Sequence, residues 1–253
     1  KFKAFLLKNS SMDIIKLDAI DSTNDFLKKL SKHSDVENFT MVLANSQTNG
    51  KGQRGATWFS ESGKNVIMSV LLKNLSITNK QLFDLNVMIS ISILNVLIEY
   101  KIPKLSIKWP NDIMSDNKKI GGILIENTIK TDNSIISIVG IGLNVNQTNF
   151  STFPKASSIA LLTGLTFDVN QLAEDIRKEI YKNRVSLSTS SSNYWELYHQ
   201  NLFKINVPST FEDNLQNKFM AIIKNVTREG KLQLLLEDDS IVTYDIKEVK
   251  MLY

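Results

Sequence analysis

The sequence predicts an α+β fold: a main domain in which strands and helices alternate, followed by a small all-β unit. Three observations carry this. Strand-length apolar runs at 39–46, 65–73, 105–109 and 134–146 share the main part with segments of helical period near its start and at about 169–187 and 193–203. Residues 79–100, "NKQLFDLNVMISISILNVLIEY", are apolar almost all round, the mark of a helix buried on every side. After residue 205 the pattern changes to short alternating runs, which divides the chain into 1–204 and 205–253.

In chain order, Ser22 or Thr23 can cap a helix through "NDFLKKLSK", with Phe26, Leu27 and Leu30 on one face. Strands at 39–46 and 65–73 flank a glycine-rich stretch, and the buried helix ends before Pro103. The strand "LSIKW" is stopped by Pro110; residues 112–127 read as a hairpin turning at Asp116 and Asn117; "SIISIVGIGLNVN" is a buried strand. Helices are expected at about 169–187 and 193–203, joined by the serine-rich loop 186–193. In the C-terminal part, turns at Arg228-Glu229-Gly230 and Asp238-Asp239 separate "FMAIIKNV", "KLQLLLED" and "SIVTYDI". A unit of about 45 residues is too small for a large core of its own, so it should dock on the main domain.

Composition narrows the chemistry. There are no cysteines, which excludes disulfides, thiolate metal sites and cysteine nucleophiles. The two histidines, His33 and His199, show no metal-ligand spacing and read as structural. No apolar run reaches the length of a membrane span and residues 1–20 lack a signal-peptide layout, so a cytoplasmic protein without membrane contact is expected. A net charge of +4 suits anionic small molecules or an acidic partner protein better than nucleic acid. Any mechanism should rest on Lys, Arg, Asn, Gln and backbone amides.

Eight of the ten glycines fall within 50–63 and 121–142. Such clusters mark main chain that turns sharply or touches a ligand. In "QTNGKGQRGATW", residues 47–58, bare N–H groups could form an anion nest to which Lys51 and Arg54 add charge; a plain hairpin loop is the alternative. No GK[ST] closes the stretch, so it is not a Walker loop. Downstream, "KWPNDI" sets Asn111 and Asp112 after a strand-breaking proline, and Lys119 lies just before Gly121 and Gly122. "GIGLN" carries a strand into Asn144, either a strand-end cap or an amide facing a ligand.

"DSTND", "QTNGKGQRGATW", "KWPNDI", "KKIGGILIE" and "GIGLNVN" stand in the order and spacing of biotin–protein ligases, and the resemblance spans about residues 18–165. It implies a mixed sheet flanked by helices, like the catalytic domains related to class II tRNA synthetases, and an SH3-like C-terminal barrel. It implies two half-reactions: biotin and ATP give biotinyl-5′-AMP and pyrophosphate, with Mg2+ on the phosphates, and a lysine of a biotin carboxyl carrier protein then takes the acyl group. The family's functional lysine matches Lys119, with Lys51 and Arg54 as further catalytic cations. The biotin pocket matches Ser22, Thr23, Asn24, Gln47, Gly50, Gly52, Lys119, Gly121 and Gly122. The ATP and adenylate side matches Lys51, Gln53, Arg54, Trp58, Asn111 and Asn144. Trp58 would cover the nucleotide or anchor the loop; Asp112 would contact metal, contact the substrate lysine, or only shape the loop.

Many members of that family carry arginine where this chain has Lys51, Gln53 and Ala56. Lysine keeps the charge but loses the bidentate fork, and glutamine keeps only a neutral amide. Weaker retention of the adenylate is therefore expected, with Lys51 and Arg54 as the loop's cations and the loop acting as a lid. About twenty residues precede "DSTND", too few for the winged helix that makes some relatives repressors, so no DNA-binding role is expected. Relatives include monomers and homodimers. The competing enzyme is a lipoate–protein ligase; a nucleic-acid-binding module is disfavoured by Glu237, Asp238 and Asp239 in the terminal unit.

Overall fold

A computed structural model describes residues 4–7, 13–75, 77–78, 81–184, 187 and 191–253, with the backbone alone at 4–7, 54, 191 and 192. An eight-stranded mixed sheet organises the main part, in the order β1-β2-β3-β4-β8-β7-β6-β5. Its strands are β1 (Ala4–Leu7), β2 (Ile14–Ile20), β3 (Met41–Gln47), β4 (Asn65–Leu72), β5 (Leu105–Lys108), β6 (Asp112–Ser115), β7 (Lys118–Ile129) and β8 (Ile135–Asn144). Only β2 and β3 run parallel, as they must, because helix α1 (Thr23–His33) forms the crossover between them. Ser22 is the helix cap, in extended conformation with its side chain accepting from the Asp25 N–H. Leu27 is fully buried, and Phe26 and Leu30 pack beside it.

On the opposite face lies α2 (Leu82–Glu99), buried along nearly its whole length. Contrary to the expectation that no apolar run reaches the length of a membrane span, this helix is long and apolar enough to cross one, but 72% of it is buried inside the protein. The predicted start at 79–80 lies outside the described residues. Ser90 and Ser92 are tolerated inside this helix because each hydroxyl donates back to the carbonyl four residues earlier. Helices α4 (Val169–Asn183) and α5 (Ser191–Gln200) pack on α2, and the short α3 (Ile159–Thr163) ends in a left-handed Gly164. The connection 185–186 and 188–190 lies outside the described residues.

The C-terminal strands β9 (Pro208–Asp213), β10 (Lys218–Val226), β11 (Leu232–Leu235), β12 (Ile241–Tyr244) and β13 (Val249–Leu252) form an antiparallel SH3-like sheet, in the order β12-β11-β10-β9-β13. Phe211, Ile223 and Leu232 belong to the same apolar cluster as Ile107 and Trp109 of the main part, so one core runs through both. The junction is also polar: the Trp109 indole donates to the Gly230 carbonyl at 2.9 Å, and Arg228 lies 3.6 Å from Asp84, which also accepts from the Trp195 indole at 2.6 Å within the main part. His199 packs at a tilt on Trp195, ring centres 5.4 Å apart, and meets the Val226 carbonyl at 3.2 Å.

Candidate active site

The face of the sheet left open beside α1 holds a cleft of about 200 Å³. Its deep end is polar and buried. Gln47, the last residue of β3, uses Oε1 to accept from both the Thr23 N–H (2.8 Å) and the Thr23 hydroxyl (3.0 Å). Asn24 donates to Glu126 at 2.9 Å, and Ser69 lies between Thr23 (2.8 Å) and Asn24 (2.6 Å). Ser22, Thr23 and Asn24 are all nearly inaccessible. The N-terminal turn of α1 therefore supplies a wall whose hydroxyl and amide groups are already oriented.

Glycines make the floor flat, and two of them admit no side chain. A Cβ on Gly140 would lie 2.4 Å from Asn24 Oδ1, and one on Gly142 would lie 2.5 Å from the Trp58 ring. Gly122 faces the same cleft, near Lys119 and Trp58. Its neighbour Gly121 does not: its Cβ position points at the Gly142 carbonyl and Leu143, because successive strand residues face opposite sides of a sheet. Of the two glycines expected at the ligand, Gly122 faces the cleft and Gly121 faces the other side of the sheet.

Residues 47–58 fold as a hairpin over this floor. The Trp58 N–H donates to the Gly50 carbonyl, the Gly52 N–H donates to the Ala56 carbonyl, and Gln53–Gly55 make one 3-10 turn at the tip. Gly50 is packed beneath Trp58 and does not line the cleft, whereas Lys51, Gly52, Gln53 and Trp58 do. The Lys51 ammonium sits 2.6 Å from Asp25 of α1, whose hydrogen bond and charge hold the lysine pKa above its usual value. The hairpin is thereby tied to the helix that walls the pocket. Arg54 is in the 3-10 turn, and its side chain lies outside the described residues. The Trp58 indole N–H is buried with no hydrogen-bond partner among the described residues.

At the mouth, Lys119 is 2.6 Å from Asp112, which also meets Lys108 at 3.5 Å. Main-chain bonds from the Lys119 N–H to the Lys155 carbonyl and from the Ser157 N–H to the Lys119 carbonyl hold this lysine in place. Asn111 is clamped to β7 by its side chain and by its carbonyl, both to Ile123, and its turn is fixed from below by Asn86 of α2 on the Pro110 carbonyl. Tyr253 reaches back to this corner, with Lys155 4.4 Å and Lys108 5.4 Å from its ring centre. Burial, with Asp112 nearby, raises its phenol pKa.

Asn144, like Gly50 and Gly121, does not line the cleft. Its amide donates to the Ser157 carbonyl at 3.0 Å and it is buried, so it closes the end of β8. Sequence reasoning missed Ser69, Glu126, Asp25, Gly140 and Gly142 as site residues. Ser69 carried a signal: it is the one hydroxyl inside the apolar run "NVIMSVLL", and a buried polar group there requires a partner. Among the described residues no group of three or more His, Cys, Asp or Glu comes together as a metal site.

The chain belongs to the Biotin/lipoate A/B protein ligase family, whose sequence pattern matches residues 17–146. It is 30% identical over 238 residues to the bifunctional ligase/repressor BirA of Escherichia coli, covering 89% of this chain and 70% of that protein. With BirA of Salmonella typhimurium it is 31% identical over 179 residues, covering 70% of this chain and 54% of that one. This chain thus spans from about half to about two thirds of those relatives' lengths. The biotin protein ligase of Aquifex aeolicus in complex with biotin and ATP superposes with a TM-score of 0.77 at 25% identity, covering 94% of this chain and 98% of that one.

Proposed function

We propose that the protein attaches biotin to a lysine of a biotin carboxyl carrier domain through biotinyl-5′-AMP. The observation that carries this is the position of Lys119, at the boundary between a buried polar pocket and the glycine hairpin. That is where a carboxylate bound by its far end in the pocket would meet an α-phosphate beneath the hairpin. In the first half-reaction a biotin carboxylate oxygen attacks the α-phosphorus, and the bond to the β-phosphate oxygen breaks to release pyrophosphate. In the second, the carrier amine attacks the acyl carbon, loses a proton, and AMP leaves.

Neither step calls for a protein nucleophile; both call for alignment and for stabilisation of charge on phosphate. Lys119 suits this because a lysine is a mobile point charge, able to move from Asp112 to the carboxylate and then to the phosphate. Thr23 and Gln47 hold the ring, Gly122, Gly140 and Gly142 let it lie flat, and the unpartnered Trp58 N–H is a donor available to the ligand. Mg2+ would enter on the ATP phosphates and neutralise charge there; Asp112, already engaged by two lysines, is the carboxylate in reach, so most of its ligands would be phosphate oxygens and water.

Biotin-dependent exchange of labelled pyrophosphate into ATP tests the reading, with lipoate as the competing substrate. Exchange with biotin and none with lipoate is expected. Exchange driven by lipoate alone would replace biotin ligation with lipoate ligation.

A further inference from the structure

We propose that Glu126 is a positioning residue that fixes the hydrogen-bond polarity of the pocket from outside it, so that the Thr23–Gln47 end demands an N–H donor from its ligand. This rests on biotin being that ligand and concerns its ring N–H groups. Glu126 lies at the far end of a relay: Oε1 accepts from Lys28 at 3.0 Å, and Oε2 accepts from Asn24 at 2.9 Å.

A carboxylate only accepts, so Asn24 must turn its NH₂ to Glu126 and its Oδ1 to Ser69. An amide oxygen cannot donate, so the single Ser69 hydrogen goes to Asn24, at 2.6 Å. Thr23 Oγ1, 2.8 Å from Ser69, therefore receives nothing from it. At the other end Gln47 is held too, because the Thr23 N–H needs its Oε1. The one Thr23 hydroxyl hydrogen then faces two acceptors, Ser69 Oγ at 2.8 Å and Gln47 Oε1 at 3.0 Å. It serves one of them and leaves an oxygen–oxygen contact without a proton. The end of the relay that lines the cleft is one donor short, and a ligand N–H supplies it. A ligand with an ether oxygen at that place adds a further acceptor to an acceptor-rich site.

Glu126→Gln reverses the relay without removing an atom from it. Lys28, which can only donate, selects the glutamine oxygen and turns the new NH₂ toward Asn24. Asn24 then offers its oxygen to residue 126 and its NH₂ to Ser69, Ser69 donates to Thr23, and Thr23 donates to Gln47. The contacts from Ser69 through Thr23 to Gln47 now each have a proton, only the long 3.4 Å contact of Asn24 with the Leu124 carbonyl losing one, and the demand on the ligand disappears.

The test is calorimetric titration of the full chain with biotin and with the cyclic carbamate analogue in which oxygen replaces one ring N–H, both regioisomers being used. Wild type should prefer biotin over the regioisomer that places oxygen at Thr23 by about tenfold or more, the usual consequence of leaving a buried polar group unsatisfied. In Glu126→Gln that ratio should fall severalfold toward one, while thermal unfolding confirms an intact fold. A purely structural role would weaken both ligands equally and leave the ratio unchanged, which would overturn the proposal. Failure of folded wild type to bind biotin at all would instead overturn the biotin reading, and this inference with it.

Discussion

Lys119 Nζ lies 2.6 Å from Asp112 Oδ1, with Lys108 on the other carboxylate oxygen, so a ligand anion would have to compete with Asp112 for this lysine. Both side chains keep some solvent access, which limits the strength of the pair and makes the exchange feasible. Asp112→Asn should therefore free Lys119 for a ligand carboxylate. Biotin affinity, measured by calorimetry, should rise by up to about fivefold, in line with at most about 1 kcal/mol for a partly exposed pair. A clear fall in affinity would show that Asp112 does more than hold the lysine.

The floor of the cleft gives a second prediction. In Gly142→Ala the new methyl would meet the Trp58 ring at 2.5 Å, far inside contact distance, so the ring must leave the sheet. Tryptophan emission should shift and adenylate formation should fall by at least about tenfold, as expected when a positioned group moves by an ångström or so. Unchanged emission together with normal activity would mean that the hairpin does not bear on the floor.

Lys51 and Arg54 are read as the cations that retain the adenylate. Lys51→Ala removes an exposed pair with Asp25, so global stability should change by no more than about 1 kcal/mol. Release of biotinyl-AMP, followed by rapid filtration, should accelerate in Lys51→Ala and in Arg54→Ala. Equal release rates from wild type and both variants would remove the hairpin's cationic role.

Away from the site, the Tyr100 hydroxyl donates to Asp175 at 2.9 Å, and burial together with that bond raises its pKa to about 12. Its contribution to stability is complete below the ordinary tyrosine value near 10 and is lost as pH climbs through about 12. Urea unfolding of wild type and Tyr100→Phe across that interval should show the gap between them closing as pH rises. A constant gap would mean that the tyrosine proton plays no part.

What could be read from the sequence follows the physics of each element. α2 was legible because an all-round apolar segment of that length has few other fates, and the Ser22 cap because its chemistry is local. β2 (Ile14–Ile20) was not singled out; its pairing with β3 is a long-range fact that "IIKLDAI" alone does not carry. The terminal barrel appeared through alternation, yet β9 escaped because Pro208 and the acidic Glu212 and Asp213 blur its pattern.

The site divides in the same way. Lys119, Thr23 and Gln47 sit in contiguous motifs and were found there. Ser69, Glu126 and Gly140 act only through partners distant in sequence: Ser69 faces Gly140 across β4 and β8, and Glu126 meets Asn24 of α1, 102 positions away. Asn144 stayed open between a strand-end cap and a ligand-facing amide because the two look alike in sequence; its NH₂ donates to the Ser157 carbonyl.

The most direct measurement is transfer of labelled biotin, with ATP, onto a biotin carboxyl carrier domain by wild type and by Lys119→Ala. Incorporation at one carrier lysine by wild type, reduced by about a hundredfold or more in the folded variant, is the predicted result. No incorporation by folded wild type, or undiminished incorporation by Lys119→Ala, would contradict the account.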